Sequence, residues 1–327
     1  MSNIKEIIAK SKMFVVGGIV VLILVLLPLV ENIGNNYILT LLFTVFIFVI
    51  LSQSWNLMGG YAGQFNLGLA AYFGSGALSC SLLISVGLSS YVAILAGGLL
   101  AAALGCIVGI PTLRLHGIYF AIGTLAIAEA LRITVANIFP GWSLVPSTYW
   151  ETYSIIERYY ICLALVVITI IIVYSMVNSQ VGLALKAIRD DEDAAKATGI
   201  NPAKYKILVF IISSFLAGLA GGVFCYFRGS ISPYHQFSVD WTFGPLMAAC
   251  IGGLGTITGP ILGSIIFVLL QELLSQTVGK AYFIVTGVLF ILVILFLPGG
   301  LVRSRESLRR FLAGLISRKS ESNTSLF

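Results

Sequence analysis

The sequence is poor in charge, because Asp, Glu, Lys and Arg make up only 10% of its 327 residues, whereas 58% are hydrophobic. Soluble globular domains carry about a quarter of charged residues, so this composition excludes that class. It predicts an integral membrane protein. Hydrocarbon offers no partner for open backbone groups, so each crossing needs roughly 20 apolar residues in a helix.

Residue types that build catalytic and metal sites are also scarce. The only histidines are His116 and His235, and five cysteines stand singly in apolar stretches without a C-x-x-C pair. This spacing argues against a metal centre and indicates small core residues at the cysteines. No G-x-x-x-x-G-K-[ST] motif and no cluster of His, Asp or Ser occurs. We therefore expect no enzyme, and no bound metal, cofactor or ATP on this chain.

The positive charges that remain lie beside the apolar runs, which favours a role in membrane topology over nucleic-acid binding. Lys5, Lys10 and Lys12 place the N-terminus in the cytoplasm, and six basic residues in the tail place the C-terminus there too. We predict an all-α integral membrane protein with both termini in the cytoplasm. Residues 1–302 form one transmembrane domain, and residues 303–327 form a basic cytoplasmic tail.

Apolar runs predict ten spans, some of them broken by glycines. The segment Phe139–Arg158 falls outside the cell and the polar stretch 181–206 falls inside. The eighth run is short, but an even number of crossings after that stretch requires it. The spans are Met13–Val30, Tyr37–Met58, Phe65–Val86, Tyr91–Ile110, Ile118–Ile138, Tyr159–Val177, Ile207–Phe227, Trp241–Ile251, Ile257–Leu274 and Tyr282–Leu297.

Residues 181–206, called here the polar segment, hold nine of the chain's thirty-two charged residues. Leu185 and Ile188 share one face of a short helix over Gly182–Arg189. Asp190 or Asp191 caps a second helix, which ends at Gly199 in a left-handed turn. Asn201-Pro202 then starts the next membrane helix. An ordinary solvated loop is the alternative interpretation.

Within the polar segment, Asp193-Ala194-Ala195 followed after three residues by Gly199 resembles the E-A-A-x-x-x-G loop of bacterial ABC importer permeases, with Asp in place of Glu. Five blocks in the same order resemble the branched-chain amino acid permeases of the Liv family, LivM type. They are SWNLMGGYAGQFNLGLAAYFGSGA from Ser54, RLHGIYFAIGTLAIAEALR from Arg114, GLALKAIRDDEDAAKATGINPAKYKILVFIISSFLAGLAGG from Gly182, GGLGTITGPILG from Gly252 and LFLPGGL from Leu295.

This resemblance implies an importer in the bacterial cytoplasmic (inner) membrane that moves leucine, isoleucine or valine. It implies a LivH-type permease partner, two ATPase subunits of LivG and LivF type that hold ATP and Mg, and a periplasmic or lipid-anchored substrate-binding protein. The I-x-L-P ending of some importer loops is absent. The residues implied to meet the ATPases are Asp191, Glu192, Asp193, Ala194, Ala195 and Gly199.

Two further groups are candidates for the substrate pathway. The glycine-rich break Gly59–Gly68 carries Tyr61, Gln64 and Asn66, and broken helices expose backbone groups that bind substrates in transporters; close helix packing is the alternative. A second break, Gly252–Pro260, lies toward the same side of the membrane.

Glu129 and Arg132 are the other candidates, because ionisable groups within a span are costly. Three residues apart on one helix face, they are expected to pair with each other, in a structural role more than in substrate contact.

Two other functions stay open at the level of sequence. Related permeases carry urea or short amides. An ion-coupled secondary transporter needs carboxylates within the membrane, and only Glu129 and Glu272 lie within the predicted spans.

Overall fold

The computed structural model of the chain describes residues 17–29, 36–139 and 154–278, and positions 285, 287–288, 291 and 300–302. Regular structure within these ranges is entirely helical. The helices are α1 Gly17–Leu26, α2 Asn36–Asn56, α3 Leu69–Ser85, α4 Ser90–Thr112, α5 Ile118–Ile138, α6 Ile155–Val177, α7 Gln180–Asp190, α8 Glu192–Ala197, α9 Pro202–Arg228, α10 Pro233–Gln236, α11 Asp240–Gly252 and α12 Thr258–Val278.

Six of the described helices are long and apolar enough to cross a membrane: α2, which widens to a π-helical turn over Leu57–Tyr61, and α4, α5, α6, α9 and α12. The 13-residue α11 reaches only about 20 Å at 1.5 Å per residue, against a hydrocarbon core of about 30 Å. The six long apolar helices make the chain a multi-pass helical membrane protein.

Helix α9 lies at the centre of the bundle and packs against α3, α4, α2 and α6. The contact with α3 and α4 depends on glycine, because a Cβ at Gly76 would overlap the backbone of Gly218, and one at Gly221 would overlap the carbonyl of Phe73. Small residues let helix backbones approach closely where lipid removes the hydrophobic drive for association. These three helices form a tightly packed core.

A second group consists of α2, α11 and α12. Glycine again permits the contact between α11 and α12, since a Cβ at Gly263 would overlap the carbonyl of Ala248 and one at Gly252 that of Gly259. The two groups meet along α2, which also contacts α9 and α6.

Observed helices overlap the eight predicted spans from Tyr37 to Leu274, and the fifth has the predicted bounds. The third begins at Leu69, not at Phe65, because the backbone of residues 62–68 is not helical. Of the first, the structure describes residues 17–29. The tenth and the basic tail fall almost wholly outside the described residues.

The sixth span was predicted to begin at Tyr159, but α6 begins four residues earlier, at Ile155, and Arg158 is buried within it. Ser154 caps the helix by accepting a hydrogen bond from the backbone N–H of Glu157. The Glu157 carboxylate also accepts hydrogen bonds from the hydroxyls of Tyr91 and Tyr226, at 2.7 and 3.1 Å. These polar contacts extend the helix beyond its apolar run.

Candidate functional site

The first helix of the polar segment, α7, lies against the membrane helices by its apolar face. Leu185 and Ile188 are both buried, as their spacing predicts. The Ser179 hydroxyl accepts a hydrogen bond from the Val181 N–H at 3.2 Å and so satisfies a free donor at the start of the helix. The helix contacts α6, α8 and α9 and is fixed to the body of the protein.

The second helix, α8, is six residues long and is capped by Asp191. The Asp191 Oδ1 atom accepts hydrogen bonds from the N–H groups of Asp193 and Ala194, each at 3.0 Å. Gly199 ends the turn with a φ of +86°, in the left-handed region that favours glycine. The Asn201 side chain caps α9 through the Lys204 N–H, with Pro202 in the first turn, as the sequence predicts.

An ion pair joins α8 to the start of α9. The Lys206 ammonium, 3% exposed, lies 2.6 Å from the Glu192 carboxylate, and Lys196 lies 3.4 Å from it. Burial works to raise the pKa of Glu192, but the hydrogen bond and charge of Lys206, together with Lys196, outweigh it and lower that pKa from its ordinary value. The pair fixes the angle between the two helices.

The six residues implied to meet an ATPase divide between two faces of this turn. Ala195 is buried and Glu192 is half-buried, so these two hold the turn on the protein. The other four are exposed, and the Asp193 side chain is 94% exposed. They are Asp191, Asp193, Ala194 and Gly199. The exposed side of the turn therefore carries small and acidic residues.

Arg189, at the end of α7, connects the polar segment to both glycine breaks. Its Nη1 atom donates a hydrogen bond to the Gly60 carbonyl at 2.9 Å. A Cβ at Gly63 would lie 2.8 Å from the Arg189 side chain, and one at Gly255 would lie 3.0 Å from Nη1. We call the place where Arg189, Gly60 and Gly255 meet the glycine joint.

Two buried amides from α2 tie the joint to the start of α12. Asn56 donates to the Thr256 carbonyl at 2.8 Å and accepts from the Gly255 N–H at 2.9 Å. Gln53 donates to the Ile257 carbonyl at 2.6 Å. A Cβ at Gly60 would overlap the Asn56 side chain, so glycine is required for this approach. The two breaks thus lie at the same end of the bundle and bind each other.

Sequence reasoning missed Arg189, Asn56 and Gln53. A signal for the two amides was present, because polar side chains within a predicted span face protein or water and not lipid. For Arg189 the helix pattern indicated only that it points away from Leu185 and Ile188. Its contact with Gly60 joins residues 129 positions apart.

The three candidates in the first break have different surroundings. Tyr61 and Asn66 are buried, and Gln64 is half-buried. Asn66 is part of the turn itself: its side chain accepts from the Gly68 N–H at 2.8 Å, and its carbonyl accepts from the Trp55 indole at 2.8 Å.

Glu129 and Arg132 form the ion pair that their spacing predicts, at 3.0 Å. Arg132 also donates to the Tyr234 carbonyl at 3.2 Å and lies over the Tyr234 ring, 3.9 Å from its centroid. It therefore holds α10 against α5.

None of these five candidates lines the cavity of about 560 Å³ that lies between α2, α9, α11 and α12. No group of three or more His, Cys, Asp or Glu side chains within the described ranges is arranged to hold a metal ion.

Comparison with known proteins gives a consistent result. The family model described as branched-chain amino acid transport system permease component matches residues 37–297. The high-affinity branched-chain amino acid transport system permease protein LivM of Escherichia coli (strain K12) is 29% identical over 326 residues, covering 90% of this chain and 75% of that protein. No solved structure gives a significant match.

Two further relatives extend the comparison. A probable LivM permease of Methanocaldococcus jannaschii is 25% identical over 78% of this chain and 90% of its own length. The Escherichia coli permease LivH is 33% identical over 145 residues, which is 44% of this chain and 45% of LivH.

Proposed function

Because the chain belongs to the family of branched-chain amino acid transport system permease components, it is a non-catalytic permease subunit, and we propose that it conducts leucine, isoleucine and valine into the cell. Named relatives of both LivM and LivH type are permeases for branched-chain amino acids. The proposed assembly is an ATP-driven importer in the bacterial cytoplasmic membrane.

The observation that carries the mechanism is the path from the polar segment to the glycine joint. The exposed side of α8 is the proposed seat of an ATPase, and its buried side is held by Ala195 and by the Glu192–Lys206 ion pair. Arg189 links the same segment to the Gly60 carbonyl. A movement of α7 and α8 driven by nucleotide therefore has a direct physical route to the broken ends of α2 and α12.

The proposed partners are a LivH-type permease, two ATPases of LivG and LivF type and a periplasmic or lipid-anchored substrate-binding protein. ATP and Mg belong on the ATPases. Charge distribution supports ten spans with both termini in the cytoplasm, so that the polar segment faces the ATPases. The role of Asp191, Asp193, Ala194 and Gly199 is docking; Glu192 and Ala195 support the docked turn.

Reconstitution of the chain with the subunits encoded beside it tests this function. The measurement is uptake of labelled leucine into proteoliposomes, with ATP inside or outside, in the presence of excess isoleucine, valine, urea or acetamide. We expect uptake that requires ATP on the ATPase side and is competed by isoleucine and valine only. A matched preparation with an ATPase subunit inactive in hydrolysis is the control.

Each of two results contradicts the proposal. Competition by urea or acetamide, without competition by valine, would assign the chain to an amide permease. Leucine uptake that continues without the ATPase subunits would indicate a secondary transporter.

A further inference from the structure

The cavity between α2, α9, α11 and α12 opens at the end of the bundle opposite the glycine joint. Tyr37 and Ser275, which are exposed, form its rim, and Phe48, which is buried, lies deeper. At 1.5 Å per residue, Phe48 is about 16 Å further along α2 than Tyr37. A volume of about 560 Å³ falls in the range of about 300–1,000 Å³ that small-molecule sites occupy.

The inner part of the cavity is apolar and aromatic. Phe48 contacts Trp241 and Phe267, with ring centroids 6.1 and 5.3 Å apart. Phe243 and Met247, from α11, complete this wall. Such a surface binds a branched aliphatic side chain through the apolar area that both remove from water.

The outer part carries charges of both signs that do not neutralise each other. Arg228, Asp240 and Glu272 all line the cavity, yet none of the ion pairs among the described residues joins Arg228 to either carboxylate. Glu272 is held in place by the Tyr37 hydroxyl at 3.0 Å and by the Gln276 amide at 2.9 Å. A cavity with separated opposite charges favours a ligand that carries both.

We infer that this cavity is the substrate site of the permease and binds an amino acid as its zwitterion. The Arg228 guanidinium receives the α-carboxylate, Glu272 and Asp240 receive the α-ammonium, and the aromatic wall around Phe48 and Trp241 receives the side chain. Charged hydrogen bonds of this kind are the strong ones, and guanidinium fits carboxylate in two-pronged geometry. The inference rests on the proposed function, which it deepens by assigning the site.

The position of α11 connects this site to the glycine joint. The first residues of α11, Asp240 and Trp241, line the cavity, and its last residue, Gly252, leads directly into the break at Gly255. A displacement of the joint therefore moves the helix that carries part of the site. The short helix α11 therefore connects the substrate site at its first residues with the glycine joint at its last residue.

Protection of an engineered cysteine from a thiol reagent tests the site. Thr40→Cys places a thiol in the cavity, whereas Ser89→Cys places one on an exposed loop at the end of α3, away from it. Both are made in a background whose five native cysteines are alanine, and the full transporter is held in nanodiscs of one lipid composition. We expect L-leucine to slow labelling of Thr40→Cys several-fold and to leave Ser89→Cys unchanged.

Analogues that lack one charge identify the chemistry. Leucinamide lacks the carboxylate and 4-methylpentanoate lacks the ammonium, so neither is expected to protect Thr40→Cys. Adding Arg228→Gln to Thr40→Cys is expected to abolish protection by leucine, whereas Arg228→Lys keeps part of it. Should Thr40→Cys fail to assemble, Ser275→Cys at the rim serves the same purpose.

The outcomes separate the site from the proposed function. Equal labelling with and without leucine, in a variant that still transports leucine, overturns the site and leaves the function standing. Protection that survives Arg228→Gln overturns the assignment of the carboxylate. Failure of the unmodified transporter to take up leucine contradicts the proposed function itself.

Discussion

Arg189 is the residue whose replacement most directly tests the link between the polar segment and the membrane helices. Its hydrogen bond to the Gly60 carbonyl comes from a charged group that is 37% exposed, so its loss costs about 1.5 kcal/mol. A free-energy change of about 1.4 kcal/mol corresponds to a tenfold change in an equilibrium constant. We therefore expect Arg189→Ala to lower leucine uptake about tenfold while ATP hydrolysis continues. Paired measurement of both rates checks this.

Lys186 provides the control for Arg189, because it is an exposed cation on the same helix. Lys186→Ala should leave the ratio of uptake to hydrolysis unchanged. A fall in both rates together in Arg189→Ala would indicate lost assembly, and an unchanged ratio would remove Arg189 from the path.

The stability of the polar segment depends on pH through Glu192. The lowered pKa of Glu192 gives the direction of this dependence. The carboxyl is more acidic in the folded protein than its ordinary value of 4.5, so its stabilising effect is complete above that value. The effect is lost as the pH falls through the lowered pKa, when the carboxyl is protonated. The protection factors of residues 192–206 against hydrogen exchange, which are corrected for the intrinsic rate at each pH, should therefore fall on acidification below pH 4.5.

Glu192→Gln is the matched variant, since it keeps the size of the side chain and removes the charge. It should exchange rapidly at neutral pH and show no further acid step in that segment. An identical acid step in both proteins would assign the effect to another group.

At the scale of elements, two substitutions at Gly199 distinguish the effect of backbone strain from the effect of a changed surface shape. Its φ of +86° makes any other residue strained, at a cost of about 1–2 kcal/mol. Apart from its two neighbours in the chain, no described atom lies within 4 Å of the place where its Cβ would be, so the added methyl group of alanine meets no steric clash. Gly199→Ala adds the strain alone, and Gly199→Trp adds bulk on the proposed docking surface.

We expect both Gly199 variants to insert in the membrane and only Gly199→Trp to lose the ATPase subunits entirely. Co-purification of the ATPases with a tagged permease measures this. Full recovery of ATPase with Gly199→Trp would show that this surface is not where they bind.

Helix caps and ends were predictable because their causes are local in sequence. Asp191, Gly199 and Asn201-Pro202 each satisfy or end a helix within a few residues, and the structure confirms all three. The start of α6 was missed because the Ser154 cap and the contacts of Glu157 with Tyr91 and Tyr226 were not weighed against hydropathy.

At the scale of the whole molecule, sequence predicted which segments matter but not which of them meet. Both glycine breaks and the polar segment were identified, yet the glycine joint depends on contacts such as Asn56 with Gly255, separated by 199 positions. The cavity is harder still, because Arg228, Asp240 and Glu272 come from three helices whose packing follows from glycine contacts. No single stretch of sequence carries that arrangement.

The arrangement of the chain in the membrane gives the last prediction. Charged clusters predict ten crossings, with Lys280 outside and the C-terminus inside. At about 20 Å, α11 is shorter than the hydrocarbon core, so its flanking residues must complete the crossing. Its first residues line the cavity, and its last residue reaches the glycine joint. Trp241 lies against Phe48, in the middle of α2, so α11 runs through the half of the bundle next to the glycine joint.

Fusion of alkaline phosphatase, which is active only outside the cytoplasm, checks this topology. A fusion after Lys280 should be active, and one at the C-terminus should be inactive. A fusion within the polar segment, after Thr198, provides an inactive control on the cytoplasmic side. The reverse activities at Lys280 and the C-terminus would contradict this topology, because they would place Lys280 on the same side of the membrane as the polar segment.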